Sequence, residues 1–137
     1  GFKMLKFIIP GRPISKSNFK LSNKSGQAWL PHKGKYSKYA AYENYIAGII
    51  NQEYFGPPLE ENLITILKLY FPNKRMGDIH NYPKSICERN EKSGIILNDK
   101  QLKPFLILDY IDKDNPRVEI ELYKSSEYNL IYQIQTK

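Results

Sequence analysis

A short part of the sequence, residues 73–102, contains the side chains whose types and spacing could support catalysis. It supplies two carboxylates, an imidazole, an amide and an ammonium group, at Asp78, Asp99, His80, Asn81 and Lys84. Carboxylates that share a small space repel one another, and a divalent cation between them removes that repulsion while acting as a Lewis acid for phosphoryl chemistry. A nearby ammonium group would supply the positive charge that a phosphate needs. These residue types therefore predict metal-assisted chemistry on a phosphate ester.

Asp78 and Asp99 also allow a purely structural interpretation. Aspartate is common at helix starts and in turns, so the two carboxylates could stand at such positions without a joint role. A structural zinc site is not indicated, because the two histidines and the single cysteine are far apart and do not match tetrahedral ligand spacing. Residue types alone leave the metal site and the structural interpretation open.

The order of the motifs resembles that of the RusA family of Holliday junction resolvases. That family shows Asp-x-Asp-Asn-x-x-Lys and then Asp-Asp-x-Gln. The corresponding stretches here are Asp78-Ile79-His80-Asn81-Tyr82-Pro83-Lys84 and Asn98-Asp99-Lys100-Gln101. His80 therefore replaces the second Asp of the first motif, and Asn98 replaces the first Asp of the second. The basic pair Lys74-Arg75 and Glu88, one turn after Lys84, also fit the family layout, and the resemblance covers nearly the whole chain.

The resemblance implies a single α/β (α+β) domain over residues 1–137, with a mixed sheet and two main helices. It also implies a homodimer that cuts branched DNA, the four-way junction, by paired phosphodiester hydrolysis. The expected cofactor is Mg²⁺, or Mn²⁺ in its place, with no small-molecule cofactor and no membrane. A prokaryotic or phage-encoded protein that acts in the cytoplasm is expected.

The resemblance also implies roles for individual residues. Asp78 and Asp99 would hold the metal, and Lys84 would stabilise the charge that develops on the phosphate. Asn81 would fix the ligand loop by hydrogen bonds. Glu88 lies four residues after Lys84 and could orient it through an ion pair, although a solvated helix face is the plainer interpretation.

His80 separates several hypotheses, because the family places a carboxylate at this position. Mg²⁺ prefers oxygen ligands, so an imidazole should weaken Mg²⁺ binding and relatively favour Mn²⁺. His80 could instead be the general base, or the protein could be a catalytically degenerate member that only binds branched DNA. Chance similarity is the fourth hypothesis. We favour His80 as a weak metal ligand, because imidazole is a competent ligand for Mn²⁺.

Positive charge is concentrated at the start of the chain. The formal net charge is +7, and residues 1–42 contain nine Lys or Arg and no Asp or Glu. This asymmetry predicts a basic surface for nucleic acid, and a membrane is less favoured because the basic region lacks an amphipathic helix with a broad apolar side. A solvated surface without a ligand is the alternative. The candidate DNA-binding residues are Arg12, Lys16, Lys20, Lys24, Lys74 and Arg75.

Residues 10–36 predict a long loop, because glycine, proline and serine recur at close intervals. Long loops in compact domains are usually functional. The basic residues of this loop are interleaved with Phe19, Trp29 and Tyr36, which suits a surface that neutralises phosphates and stacks on exposed bases. Trp29 could equally fill the core beneath the loop.

Apolar patterns predict the elements that position the site. Residues 3–9 and 63–72 predict strands, and the second is nearly continuously apolar, as expected for a central strand. Helical spacing predicts a helix from a cap at Ser37 to about residue 52, with core positions at Tyr39, Tyr42, Ile46, Ile49 and Ile50. A second helix, capped by His80 or Asn81, should run to about residue 91 and carry Lys84 in its first turn.

The last part of the chain predicts a hairpin of strands 105–111 and 117–123. Val118, Ile120 and Leu122 would face the core, while Arg117, Glu119 and Glu121 would meet water. The tail after Ser125 predicts either a short extra strand or a mobile segment. At 137 residues the chain is one domain. Its single cysteine, Cys87, excludes an intrachain disulfide, favours an intracellular protein and is interpreted as a small buried thiol.

Overall fold

The computed structural model of the chain describes residues 4–14, 21–22, 28–29, 35–75, 79, 82, 95–96 and 99–137. In chain order the helices and strands are β1 (Met4–Pro10), β2 (Leu21–Ser22), β3 (Ala28–Trp29), α1 (Lys35–Glu53), β4 (Leu63–Phe71), β5 (Leu102–Ile111) and β6 (Arg117–Lys124). Four of the strands form one mixed sheet with the order β1-β6-β4-β5, and α1 packs on one of its faces. The predicted α+β class with a mixed sheet is confirmed.

The central strand of the sheet is β4, as its nearly continuous apolar sequence predicted. It pairs in parallel with β5 and antiparallel with β6. β1 then pairs antiparallel with β6 and forms the edge. A parallel pair requires a crossover connection, since a tight turn cannot return the chain to the same end of the sheet. Residues 72–101, which include all but the last residue of the predicted catalytic segment, form that connection between β4 and β5.

The predicted hairpin of β5 and β6 is wrong. The two strands are consecutive in the chain, but β4 lies between them in the sheet. The connection 112–116 crosses the end of β4 instead of making a tight turn, and the Asp112 N–H donates to the Phe71 carbonyl at 2.7 Å. The physical reason is that an apolar strand such as β4 is most stable with neighbours on both sides, and β5 and β6 provide them.

The helix α1 covers the sheet through the residues that its periodicity indicated. Ile46 and Ile50 are buried, Tyr42 is 7 % exposed, and Ile49 is partly buried against the same core. Burial raises the pKa of the Tyr42 hydroxyl, to which the backbone of Ile14 is hydrogen-bonded. The helix begins at Lys35, so the predicted cap at Ser37 is wrong and Ser37 belongs to the first turn. Helix starts inferred from capping patterns commonly differ by a residue or two.

The sheet has an inner face, covered by α1, and an outer face. The outer face carries the even-numbered side chains of β1, of β4 and of β5 from Leu106 onward, together with the odd-numbered side chains of β6. Val118, Ile120 and Leu122 lie on the inner face and are fully buried, as predicted. Buried apolar side chains of β1, β4 and β6 therefore form one core with those of α1.

The prediction that Glu119 and Glu121 meet water is wrong. They are only 6 % and 7 % exposed, because β6 has a strand on each side and the neighbouring side chains cover them. Lys68 Nζ lies 2.8 Å from Glu121 Oε2, and Lys6 Nζ lies 3.2 Å from Glu119 Oε1. Arg117 Nε contacts Glu119 Oε2 at 2.6 Å. The outer face therefore holds an ion-paired layer.

Several predictions fall partly or wholly outside the described residues. The second helix over residues 81–91, Tyr39 as a core side chain and Cys87 belong to this group. Within the predicted loop 10–36, residues 21–22 and 28–29 form a two-residue antiparallel ladder of β2 and β3, and residues 35–36 already belong to α1. The Trp29 side chain lies outside the description. After β6 there is a turn at 125–127 and then neither strand nor helix. Among the described residues, no helix has the length and apolar character needed to cross a membrane.

Candidate active site

The predicted catalytic segment leaves the sheet at the end of β4, where the chain turns and exposes two basic side chains. The turn is fixed by a hydrogen bond in which the Arg75 N–H donates to the Asn73 side-chain carbonyl at 2.9 Å. Asparagine favours such turns because its short side chain can accept a bond from the backbone two residues later. Lys74 and Arg75 are consequently exposed beside the end of the sheet.

Arg12 comes from a distant part of the chain to the same place. Gly11 ends β1 with φ of 105°, a backbone conformation that glycine adopts without a steric penalty. Its N–H donates to the Pro116 carbonyl at 2.9 Å, which directs the chain over the end of the sheet. The Arg12 guanidinium then donates to the Arg75 backbone carbonyl. We call Arg12, Lys74 and Arg75 the basic edge; the fold brings them together although they are far apart in sequence.

Tyr82, inside the first motif, packs beside the basic edge. Its side chain is 4 % exposed, and its ring lies edge-on against Phe71 with ring centres 5.3 Å apart. The Tyr82 N–H donates to the Ile79 carbonyl at 3.2 Å, so the two described residues of this motif form one turn. Burial raises the pKa of Tyr82, and the positive charge of Arg12 acts in the opposite direction. Tyr82 of the first motif is thus anchored where the basic side chains of Arg12, Lys74 and Arg75 are exposed.

The second motif is anchored at the other end of β4. Asp99–Gln101 forms a single 3-10 turn just before β5. Gln101 is 8 % exposed, and its side-chain amide donates to the carbonyls of Leu59 at 2.7 Å and Glu61 at 3.0 Å. Leu102 pairs with Leu63, the first residue of β4. The backbone of Asp99 therefore precedes the start of β4, while Tyr82 packs at its end, and a strand of nine residues spans roughly 26 Å.

The structure describes only part of the predicted site. Among the predicted DNA-binding residues, it brings Arg12 and Arg75 into contact and leaves Arg12, Lys74 and Arg75 exposed, as phosphate binding requires. The residues outside the description are Asp78, His80, Asn81, Lys84, Glu88, Lys16, Lys20 and Lys24, together with the Asp99 side chain. Their roles stay predictions. Within the described part of the chain, no three His, Cys, Asp or Glu side chains lie close enough to hold a metal ion.

Sequence reasoning gave no role to two residues that the structure shows to be anchors. Tyr82 ties the first motif to the end of β4, and Gln101 ties the second motif to the segment before β4. Both residues stand inside the two motifs, and this position in the sequence was the signal that could have indicated their roles. A buried amide with two backbone acceptors costs stability when it is removed, because the carbonyls lose their partners. Tyr82 and Gln101 position the motifs, whereas the proposed catalytic chemistry is assigned to other residues.

Comparisons with known proteins show the family of the chain. Residues 10–123 match the family model described as Endodeoxyribonuclease RusA. The chain is also similar to the crossover junction endodeoxyribonuclease RusA of Aquifex aeolicus (strain VF5), with 26% identity over 118 residues that cover 86% of this chain and 90% of that protein. The family match includes both motifs and the basic edge, and it stops at Tyr123, before the last residue of β6.

Proposed function

The chain belongs to the RusA family of endodeoxyribonucleases, and from this premise we propose that it resolves four-way DNA junctions by metal-dependent, paired phosphodiester hydrolysis. The observation that carries the proposal is the basic edge, where Arg12 contacts Arg75 next to the anchored first motif. The basic side chains thereby lie beside Tyr82, which in the sequence stands between the predicted catalytic residues His80 and Lys84. Cleavage of both strands of a junction needs two active sites, which a homodimer supplies.

DNA would bind at the basic edge through its phosphates. Arg12, Lys74 and Arg75 are exposed, and guanidinium groups form paired hydrogen bonds with phosphate oxygens. Lys16, Lys20 and Lys24 would extend this surface along the loop. Such contacts position the duplex without reading its sequence, and their strength falls with salt because each one releases counterions.

The donor set of the proposed metal site consists of Asp78, Asp99 and His80. Asp99 precedes the start of β4, whereas the motif of Asp78 and His80 follows its end, so Asp99 would join this set from the other copy of the proposed homodimer. Carboxylate oxygens suit Mg²⁺, whereas the imidazole nitrogen suits Mn²⁺ better, so the set fits a divalent cation with a shift toward Mn²⁺. When bound, the cation supplies a Lewis acid that polarises the scissile phosphate. Lys84 would hold positive charge against the phosphate oxygens as negative charge develops, Asn81 would fix the ligand loop, and Glu88 would orient Lys84.

A second candidate function is a branched-DNA-binding protein of the same fold without catalysis. The sequence feature that favours it is the replacement of carboxylates by His80 and Asn98 within the two motifs. Fewer carboxylates weaken a site for Mg²⁺, while the basic edge needs no metal to bind phosphate. The two functions therefore share the DNA surface and differ in the metal site.

The deciding experiment measures cleavage and binding of a labelled four-way junction with Mg²⁺ or with Mn²⁺. We expect paired nicks, which form faster with Mn²⁺, and a His80→Asp variant that gains activity with Mg²⁺.

The variants Asp78→Asn and Asp99→Asn should abolish cleavage and leave junction binding intact or tighter, because they remove negative charge near phosphate. If His80 is the general base, His80→Asp should instead reduce cleavage with both metals. Tight binding without cleavage, in wild type and variant alike, would establish the DNA-binding function.

A further inference from the structure

A row of planar side chains crosses the outer face of the sheet near the end of β4. Arg117, Tyr70 and Tyr110 stand on the neighbouring strands β6, β4 and β5, and Tyr70 is in register with each of the other two. The Arg117 Cζ atom lies 3.7 Å from the centre of the Tyr70 ring. Tyr110 stacks on Tyr70 from the side of β5, with ring centres 5.0 Å apart and 22° between the ring planes. We call these three side chains the stack.

The Arg117 end of the stack is held firmly within the chain. Arg117 Nε donates to Glu119 Oε2 at 2.6 Å, and Nη1 donates to Asp112 Oδ2 and to the Asn115 carbonyl, each at 2.9 Å. These bonds fix the plane of the guanidinium group against Tyr70 and match its positive charge. A surface that is already ordered binds a ligand without the entropic cost of ordering its own side chains.

The Tyr110 end of the stack is open. In the four-stranded sheet β5 is an edge strand, so Tyr110 is the outermost of the three side chains. Tyr110 is 42 % exposed, although Tyr70 covers one side of its ring. Aromatic rings favour offset stacking on other planar groups. The open side of Tyr110 is therefore a place where one more planar group can extend the stack.

The stack belongs to the end of the sheet that carries the basic edge. Tyr70 is the last residue but one of β4, and Arg75 follows it by five residues. Their Cα atoms are therefore at most about 18 Å apart. A few nucleotides of a DNA strand span such a distance. A strand whose phosphates contact the basic edge can consequently bring a base to Tyr110.

We infer that Tyr110 receives an unpaired nucleobase, so that the chain favours branched DNA whose branch point contains unpaired nucleotides. A base inside a duplex is stacked on both faces, whereas an unpaired base has a free face for the ring. Stacking on aromatic side chains is a general way to bind unpaired bases without reading their sequence. The inference rests on the proposed function in that branched DNA is the ligand.

The charges around the stack agree with a nucleic acid as the occupant. Asp112 and Glu119 are the carboxylates bonded to Arg117, so their charges are matched within the chain. The basic edge supplies positive charge for the phosphates that flank the base. An apolar peptide would also cover the Tyr110 ring, but it would leave the basic edge without a counter-charge.

The first experiment measures binding by fluorescence anisotropy without divalent cations, so that no DNA is cut. It compares a fully paired four-way junction with the same junction containing a short run of unpaired thymidines at the branch point. We expect the wild type to bind the second at least about 5-fold more tightly. Tyr110→Ser should lose this preference. Tyr45→Ser, which removes a ring of similar exposure (44 %) from α1, should keep it.

Further variants of Tyr110 separate stacking from other contacts. Tyr110→Phe and Tyr110→Trp should keep the preference, whereas Tyr110→Leu, which is apolar but not planar, should lose it. The slope of affinity against salt should be the same in Tyr110→Ser as in the wild type, because stacking neutralises no phosphate. A preference that Tyr110→Ser or Tyr110→Leu retains, or a wild type without any preference, would overturn the inference.

A photo-crosslink tests the contact in the wild-type protein, independently of how the variants fold. Iododeoxyuridine placed in the unpaired run should crosslink to Tyr110, as mapped by mass spectrometry, and the same nucleotide within a paired arm should not. Crosslinks that avoid Tyr110 would contradict the stack as the binding place. The outcome is separable from the proposed function, since neither measurement involves cleavage. A chain with the preference and the crosslink that never cleaves refutes the nuclease alone, and a chain that cleaves junctions without them refutes this inference alone.

Discussion

The two faces of the sheet bury their side chains in different ways. The inner face is apolar and closed by α1, with Leu67, Val118 and Ile120 fully buried. The outer face buries Glu119 and Glu121 to nearly the same degree, but through ion pairs with Lys6, Lys68 and Arg117. Truncating an apolar side chain of the inner core leaves a cavity, which lowers the stability of the fold. Removing one partner of an ion pair on the outer face leaves a buried charge without compensation, which also lowers it. Substitutions should therefore affect the two faces by different mechanisms.

The largest loss of stability should come from truncating a side chain on the inner face. Leu67→Ala leaves a cavity in the closed core and should lower the free energy of unfolding by about 2–5 kcal/mol. Leu108→Ala removes the same group from the open outer face, where water already reaches it, and should cost about 0.5 kcal/mol. Urea unfolding of the two variants measures the difference, and equal losses would refute the contrast between the faces.

A smaller effect is expected when an ion pair on the outer face loses its cation. Lys68→Met leaves the Glu121 carboxylate nearly buried without its closest charge partner and should cost about 1.5–3 kcal/mol. Lys113→Met removes an exposed lysine of the loop after β5 and should change stability by no more than about 0.5 kcal/mol. The same urea measurement applies. If both lysines prove equally dispensable, the outer layer contributes nothing to stability.

The ion pairs should also give stability a defined dependence on pH. Burial alone would raise the pKa of Glu121, but hydrogen bonds from Lys68 and Tyr123 outweigh it and lower the pKa. The pKa of Glu119 is lowered in the same way, since hydrogen bonds from Arg117 and Lys6 outweigh burial. The bond to Glu121 raises the pKa of Tyr123 to about 12.

A carboxylate whose pKa is lower in the folded state stabilises the fold fully above its unfolded pKa, ~4.3 for Glu. This stability is lost as the pH falls from that value through the folded pKa values of Glu119 and Glu121. Melting temperatures should therefore decrease below about pH 4.3 in the wild type. Glu121→Gln should flatten the decrease, whereas Glu127→Gln, on an exposed turn, should leave it unchanged. A profile that Glu121→Gln does not alter would contradict the assignment.

The smallest effect on stability should come from Arg12, which lies on neither face. Arg12→Ala should change the free energy of unfolding by about 0.5 kcal/mol at most, because the side chain is exposed. It should nevertheless reduce the slope of junction affinity against salt by about 1, since one phosphate contact is lost. Arg12→Lys keeps the charge and should retain the slope. Binding titrations at several salt concentrations measure it, and an unchanged slope in Arg12→Ala would exclude Arg12 from the DNA surface.

Local patterns in the sequence were sufficient for α1, for the four strands of the main sheet and for the family. The helical spacing of Tyr42, Ile46 and Ile50 predicted α1, and the apolar run of β4 predicted a central strand, because each pattern reports which side of its own element is buried. The two motifs indicated the family that the comparisons then showed. The catalytic residues were predicted by resemblance, and their side chains lie outside the described part of the chain. Two of the predicted DNA-binding residues, Arg12 and Arg75, do lie together.

Tertiary structure alone decided which strands are neighbours. The alternation of apolar and polar residues in β6 distinguished the two sides of the strand but did not indicate which strands lie beside it. A hairpin of β5 and β6 was therefore predicted, whereas β4 lies between them. The same missing information made Glu119 and Glu121 look solvent-exposed, since a strand's outward side chains are covered only when it has neighbours on both sides. Gln101 and Arg12 acquired partners 42 and 63 residues away for this reason. Long-range pairing depends on the packing of the whole chain, which no single segment encodes.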